Sequence, residues 1–121
     1  MISGGSDGSG VLGSVEILEL PRLALRKGVK GLKQVRQAHA SCFFNEWGYV
    51  FCGLAKDRVA DAINSIERYS LIDNRWESVE SKLRPSFYMQ AQVVGDRVIL
   101  FGGKNEEARD VLIEEGKGGK L

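Results

Sequence analysis

The chain has few of the residues on which common functions depend. It contains one histidine, two cysteines and no threonine among its 121 residues. A single histidine and two thiols cannot supply the four nitrogen and sulfur ligands of a structural zinc site, so we expect no metal and no other cofactor. The absence of threonine is unexpected in a β-rich protein, because β-branched residues favour strands.

The chain also lacks a strong charge of either sign and any long apolar run. Its formal net charge is +1, with 43% hydrophobic and 27% charged residues, so nothing draws the whole molecule to nucleic acid or to a membrane surface. The apolar runs have the length of strands, and the first residues lack the basic start and apolar core of a signal peptide. We therefore expect a globular cytoplasmic protein with reduced thiols.

The sequence does contain two short motifs, here called words, that recur about every 50 residues. An apolar word ending in glycine closes at Gly5, Gly53 and Gly103. A second word, serine followed by an apolar residue and glutamate, opens at Ser14 and Ser65. A fixed period of this length is typical of repeat architectures, in which each unit buries its apolar faces against its neighbours.

Residues 38–103 carry the strongest strand signals. They predict two hairpins: 40–44 and 48–52, separated by Asn45-Glu46-Trp47, and 90–94 and 97–101, joined by the two-residue turn Gly95-Asp96. Two further strands, 65–71 and 75–79, lie between the hairpins. We therefore predict an all-β fold with four-stranded antiparallel sheets of the kind that form propeller blades.

These words resemble the repeats of kelch proteins, a β-propeller family. The resemblance rests on the glycine words, on Tyr69 and Trp76 in the second repeat, and on arginines that follow, at Arg36 and at Arg84-Pro85. It implies structural roles for Gly4, Gly5, Gly53, Tyr69, Trp76, Gly102 and Gly103. In the second repeat Cys52 replaces the first glycine of the pair, so that backbone position must accept a side chain.

The resemblance also divides the chain. It implies a partial first repeat with a basic segment at 1–37, a complete repeat at 38–87, a partial third repeat at 88–115 and a disordered tail at 116–121. Propellers close with four to eight blades, so we expect an incomplete kelch-type propeller. It is either a fragment of a larger propeller, which we favour, or a chain that closes by self-association.

No catalytic residue is expected. His39 has no evident partner for a Cys–His nucleophilic pair. If Asn45-Glu46 forms the turn, strand alternation places Cys42 and Cys52 on opposite faces, which excludes a disulfide and leaves buried free thiols. Copper-dependent sugar-alcohol oxidases also resemble kelch propellers, but their metal site needs more than one histidine. We predict that the protein is not an enzyme.

The resemblance implies that loops between the second and third strands, and between blades, bind a protein partner. In this chain these loops are 54–64, 81–86 and 104–109. The exposed polar residues that we expect at the contact are Lys56, Asp57, Arg58, Lys82 and Arg84. Such charges adjust orientation and association rate more than affinity. The sequence does not identify the partner.

A basic segment, residues 22–36, supports an alternative function. It holds six cations with no acidic residue: Arg22, Arg26, Lys27, Lys30, Lys33 and Arg36. Apolar residues recur in it at helical spacing, but Gly28 and Gly31 each cost a helix about 1 kcal/mol. A basic amphipathic helix would bind nucleic acid or an anionic membrane. We favour instead an irregular outer strand and loop with solvated charges.

Overall fold

The computed structural model describes residues 1–19, 24–26, 28–56, 58–105 and 114–117. These residues form antiparallel β-strands and one 3₁₀ turn (Val59–Asp61), with no α-helix among them, so the predicted all-β class is confirmed. The strands are β1 (Ile2–Ser3), β2 (Val15–Glu16), β3 (Leu18–Glu19), β4 (Ala24–Leu25), β5 (Ala40–Phe44), β6 (Trp47–Leu54), β7 (Ala62–Ser70), β8 (Arg75–Val79), β9 (Ser86–Val94), β10 (Arg97–Asn105) and β11 (Glu114–Lys117). No helix in the described ranges is long and apolar enough to cross a membrane.

The central sheet has the order β5-β6-β7-β8, so each strand lies beside its neighbours in sequence. Asn45 and Glu46 form the turn between β5 and β6 with φ of 50° and 67°, the left-handed conformation that two-residue hairpins require. Cys42 pairs with Tyr49 across this hairpin. The predicted turn and register are therefore confirmed.

The carboxy-terminal sheet has the order β11-β10-β9. The predicted turn at Gly95-Asp96 joins β9 to β10, but both strands extend further from the turn than the predicted 90–94 and 97–101. β11 lies on the far side of β10, and its last residues, Gly116 and Lys117, take part in the pairing. The first two residues of the predicted tail 116–121 thus belong to a strand, and 118–121 lie outside the described residues.

β3 and β4 pair as a separate two-stranded sheet. The amino-terminal sheet, β1 with β2, repeats the register of the central and carboxy-terminal sheets. In each sheet an apolar residue of one strand lies opposite a glutamate of the next: Ile2 with Glu16, Val50 with Glu67, and Leu100 with Glu114. The third glutamate was not recognised from the sequence, because the serine word that marks the first two is absent there. The repeat is thus present in strand pairing as well as in sequence.

The glycine words also repeat as backbone conformation. The first residue of each pair has φ near 60°: Gly4 at 62°, Cys52 at 56° and Gly102 at 71°. The second residue has φ of 93° at Gly5, 102° at Gly53 and 83° at Gly103. Cys52 therefore occupies a conformation that side chains disfavour by about 1–2 kcal/mol. The register of β6 against β7 shifts at this point, between Phe51 and Gly53.

Gly53 and Gly103 are required by close packing as well as by φ. A Cβ on Gly53 would lie 2.5 Å from the carbonyl oxygen of Gln37, and a Cβ on Gly103 would lie 2.7 Å from that of Phe87. Gln37 bridges to Leu54 and Phe87 pairs with Lys104, so each pairs with the residue that follows the glycine. The hairpin backbones therefore approach closely just where the strand turns left-handed.

The central sheet is buried on both faces. Val50, Tyr69 and Trp76 pack on one face against Val15 and Ile17, which belong to the amino-terminal segment. Tyr49, Phe51 and Ile66 on the other face share a cluster with Met89, Val98 and Leu100 of the carboxy-terminal sheet. From Tyr49 to Phe51 the side chains of β6 alternate between these two clusters, as the period of a strand requires. Three successive sheet units therefore pack face to face in chain order.

The described part of the basic segment, 24–26 and 28–36, contains no helix. The helical alternative is wrong for these residues, because side chains of the central sheet form hydrogen bonds with their backbone. Trp76 Nε1 donates to the Lys30 carbonyl (2.7 Å), and Glu67 accepts from the Lys33 and Gln34 amides (2.7 and 3.1 Å). Gly28 has φ of 73°, which a helix does not allow. Arg22 and Lys27 lie outside the described residues.

Candidate binding surface

Two loops come together at one end of the central sheet, which we call the loop end. The first, residues 55–61, joins β6 to β7 at the pair Leu54 and Ala62. The second, residues 80–85, joins β8 to β9. Asn64 Nδ2 donates to the Leu83 carbonyl (3.1 Å), so the second loop reaches the start of β7. Two of the three predicted loops are thus neighbours in space.

The first loop presents Lys56 and Arg58, both exposed. Arg58 Nε lies 3.2 Å from Asp61 Oδ2, an exposed pair that contributes about 0–1 kcal/mol. Backbone bonds close the loop, because the Ala55 amide donates to the Asp61 carbonyl (3.0 Å). Asp57, the third residue predicted here, lies outside the described residues.

The second loop presents Lys82 and Arg84 on either side of a buried Leu83. The Leu83 amide donates to Ser81 Oγ (3.1 Å), and Ser86 Oγ donates to the Arg84 carbonyl (2.8 Å). These two hydrogen bonds hold the backbone that carries the two cations. A binding surface ordered in advance loses less conformational entropy when a partner docks.

The third predicted loop, 104–109, is described only at its start. Lys104 is exposed in β10, opposite Phe87, where β9 begins beside the second loop. The residues 106–109 lie outside the described residues. The loop end as described therefore carries Lys56, Arg58, Lys82, Arg84 and Lys104.

Beneath the loop end lies a buried ion pair that the sequence analysis did not identify. Arg36 and Glu67 are both buried, and Arg36 Nη2 lies 2.7 Å from Glu67 Oε2. Arg36 also donates to the Cys52 carbonyl (3.0 Å) and to the carbonyl and hydroxyl oxygens of Ser65 (2.9 and 3.0 Å). Burial lowers the pKa of Arg36, and the Glu67 carboxylate opposes that shift. Glu67 lies within the second serine word and Arg36 is one of the arginines on which the kelch resemblance rests, which was the available signal.

This pair has a structural role. Glu67 also accepts the Lys33 and Gln34 amides, so its two oxygens are engaged by three donors. The pair and its hydrogen bonds therefore fix the basic segment against the central sheet and leave Arg36 with no donor for a phosphate. Of the other described cations in the segment, Arg26 donates to the Leu71 carbonyl, while Lys30 and Lys33 are exposed.

His39 and Ser3 form a hydrogen bond between His39 Nε2 and Ser3 Oγ (3.0 Å). Burial, with the charge of Arg36, lowers the pKa of His39 to about 4. The other ring nitrogen, Nδ1, is buried without a hydrogen-bond partner. A serine–histidine nucleophile needs an acceptor at that nitrogen to orient the ring. The described residues supply none.

Cys42 and Cys52 form no disulfide, as predicted. Their predicted placement on opposite faces is wrong, because Cys42 and Cys52 both contact the core cluster between the central and carboxy-terminal sheets. The left-handed φ of Cys52 and the register shift beside it interrupt strand alternation. Burial raises the pKa of the Cys42 thiol to about 11, so it is not a nucleophilic thiolate at neutral pH.

The described residues contain no group of three or more histidine, cysteine or acidic side chains placed to hold a metal ion. Ser6, Gly8, Ser9 and Gly10 line a shallow depression of about 150 Å³. Asp7 in this loop accepts from the Ser9 amide and hydroxyl (2.9 and 2.7 Å), which lowers the pKa of its carboxyl group. An ionised carboxylate at this place disfavours a phosphate ligand.

Comparison with models of known protein families and with curated proteins found no match to this chain.

Proposed function

We propose that the protein is a non-enzymatic protein-interaction module built from kelch-type repeats. The proposal is supported by three register-equivalent sheets in chain order and by the recurring left-handed pairs at the ends of their strands. Rigid β scaffolds with variable loops at one end are suited to binding. The raised thiol pKa and the unpartnered His39 nitrogen favour a non-catalytic role.

We place the partner contact at the loop end. The single observation that carries this assignment is the exposure of cations on two loops at the same end of the central sheet, where the hydrogen bond from Asn64 to the Leu83 carbonyl brings the second loop to the start of β7. A partner with an acidic surface fits this end, since opposite charge directs the encounter and sets orientation. Association in the cytoplasm is consistent with the reduced thiols.

The test begins with a photo-reactive residue at position 82 and, as a control, at position 72. Ile72 is exposed in the turn between β7 and β8, at the opposite end of the central sheet. A partner cross-linked from position 82 alone would be purified, and its affinity measured by titration. Cross-linking from position 72 alone would contradict the assignment.

Charge reversal then tests the named residues. We expect the double variant Lys82→Glu, Arg84→Glu to weaken the purified complex by about tenfold, mainly through slower association. Arg75→Glu is the matched control, because Arg75 is also an exposed arginine but lies at the opposite end of the sheet. Equal affinity in both variants would refute a contact at the second loop.

Binding of nucleic acid or anionic membrane through residues 22–36 remains the second candidate. No observation favours it over the loop end, because Arg36 is buried and Arg26 is bonded to the chain itself. Phosphate binding would weaken steeply as salt rises, since condensed counterions are released. Lys30→Glu with Lys33→Glu should abolish such binding and leave a loop-end complex intact.

A further inference from the structure

The contact between successive sheets is repeated inside the molecule, but two equivalent faces remain uncovered by described residues. Val50 of the central sheet and Leu100 of the carboxy-terminal sheet are fully buried by the sheet that precedes each of them. Ile2 occupies the same register position in the amino-terminal sheet, opposite a glutamate, and is 70% exposed. The receiving face of the amino-terminal sheet is therefore open.

The opposite situation holds at the other end of the chain. Phe51 and Phe44 of the central sheet are buried against the carboxy-terminal sheet. Their equivalents 50 residues later, Phe101 and Val94, are 37% and 52% exposed. The exposed face of the carboxy-terminal sheet is thus equivalent to the face of the central sheet that packs on the carboxy-terminal sheet. No described residue covers this exposed face.

We propose that these two open faces bind each other between copies of this chain. The outer face of the carboxy-terminal sheet of one copy packs on the outer face of the amino-terminal sheet of a second copy. Phe51 and Leu100 share one core cluster inside the molecule, and Phe101 and Ile2 are their equivalents at the open faces. The contact therefore continues an interface that the chain already forms twice in the same direction. This inference rests on the proposed repeat architecture.

The number of repeats sets the size of the assembly. Two different faces meet in a head-to-tail contact, which closes into a ring or continues as a filament. Sheets repeated around an axis close with four to eight members. The described residues of one copy supply three register-equivalent sheets, so two copies supply six, within that range, and three copies exceed it. The expected assembly is a closed dimer.

The contact is weaker than the internal one. Gln90 and Gln92 lie on the open face of the carboxy-terminal sheet, where the central sheet has Ala40 and Cys42. Burying each glutamine costs free energy, because its amide leaves water and must find new hydrogen-bond partners. We therefore expect an association at the micromolar end of the range that protein interfaces span.

The first experiment is light scattering on a sizing column, with the chain loaded from about 1 µM to about 200 µM. The expected result is a mass that rises from 13.3 kDa to twice that value and no further. A mass that stays at one chain over the whole range overturns the proposal. Continued growth into larger species overturns the closed dimer.

Variants at the two faces identify the contact. Ile2→Asp and Phe101→Asp should each weaken the dimer by at least about tenfold, because each places a charge in an apolar contact. Ile72→Asp, also at an exposed isoleucine but outside both faces, should leave the mass unchanged. Near-ultraviolet circular dichroism of the monomeric variants should match that of the native chain, since neither residue is buried within one copy. A dimer that survives both face variants overturns the proposal.

Mixed cross-linking gives the direction of the contact. A chain with Ile2→Cys mixed with a chain with Phe101→Cys should form a disulfide dimer, whereas either variant alone should not exceed the background of the native thiols. Cross-linking of either variant with itself would indicate like faces in contact and overturn the proposal. The loop-end variant Lys82→Glu, Arg84→Glu should still dimerise, which separates failure of this contact from failure of the proposed partner site.

Discussion

Removal of Arg36 gives the sharpest test of how the segments of this protein are held together. In Arg36→Met, a side chain of similar length keeps much of the packing but removes the buried guanidinium. Glu67 then retains two amide donors but no counter-charge, and the carbonyls of Cys52 and Ser65 lose their donor. The variant thus leaves a buried carboxylate without its counter-charge.

The expected loss follows from the buried environment. Breaking a buried ion pair by removing one partner costs about 3–5 kcal/mol, a large part of the roughly 5–15 kcal/mol that stabilises a typical domain. For a chain of this size the loss corresponds to a drop of about 10–20 °C in Tm. Urea unfolding followed by tryptophan fluorescence measures the loss, because Trp76 donates to the Lys30 carbonyl of the segment that the pair holds in place.

A double-mutant cycle separates the pair from the packing. Arg36→Met with Glu67→Leu removes both charges, so it should be less destabilised than the sum of the two single variants by at least about 1 kcal/mol. The slope of unfolding against urea should be unchanged in all three variants. A single Arg36→Met loss below about 1 kcal/mol, or strict additivity in the cycle, would refute the reasoning.

Two further predictions concern backbone conformation and pH. Gly103→Ala should lower the free energy of unfolding by about 2–4 kcal/mol, because the residue is left-handed and its new Cβ would meet the Phe87 carbonyl. The control Gly102→Ala is also left-handed but has nothing within 4 Å of the new Cβ, so it should cost only about 1–2 kcal/mol. Equal losses in thermal melts would argue against the close approach. The lowered pKa of His39, about 4 against the ordinary 6.5, means that between these pH values the unfolded chain binds a proton that the native state does not. Stability is therefore fully present above pH 6.5 and falls as pH drops toward 4, by on the order of 2–3 kcal/mol. His39→Gln should flatten this fall in urea titrations across the window, and an unchanged slope would show that His39 is not its source.

The turns and the repeated backbone conformations could be predicted from the sequence. The turn at Gly95-Asp96 was predicted because these residues tolerate positive φ, and the hairpin around Asn45-Glu46 was predicted from the two short apolar runs that flank it. Both turns form. The period of the glycine words likewise predicted equivalent backbone positions, which the φ values of Gly5, Gly53 and Gly103 show. Such features are predicted correctly because they depend only on residues close together in the sequence.

The basic segment and the cysteines show where that reasoning fails. Helical spacing of apolar residues left a helix open, but Trp76 and Glu67, more than 30 residues away in sequence, bind the backbone of the segment instead. Strand alternation placed Cys52 on the wrong face, because a left-handed residue and a register shift interrupt it. Both errors arise from contacts or conformations that composition and spacing do not encode.

By itself, the sequence determined the all-β class, the repeat period, the turns and the residues expected in the exposed loops. Only the tertiary structure decided that Arg36 meets Glu67, that the loops carrying Lys56 and Lys82 are neighbours, and which faces of the outer sheets stay open. The physical reason is range. Turns and strands depend on torsion preferences and alternation over a few residues, whereas ion pairs, loop proximity and face burial depend on how distant segments pack.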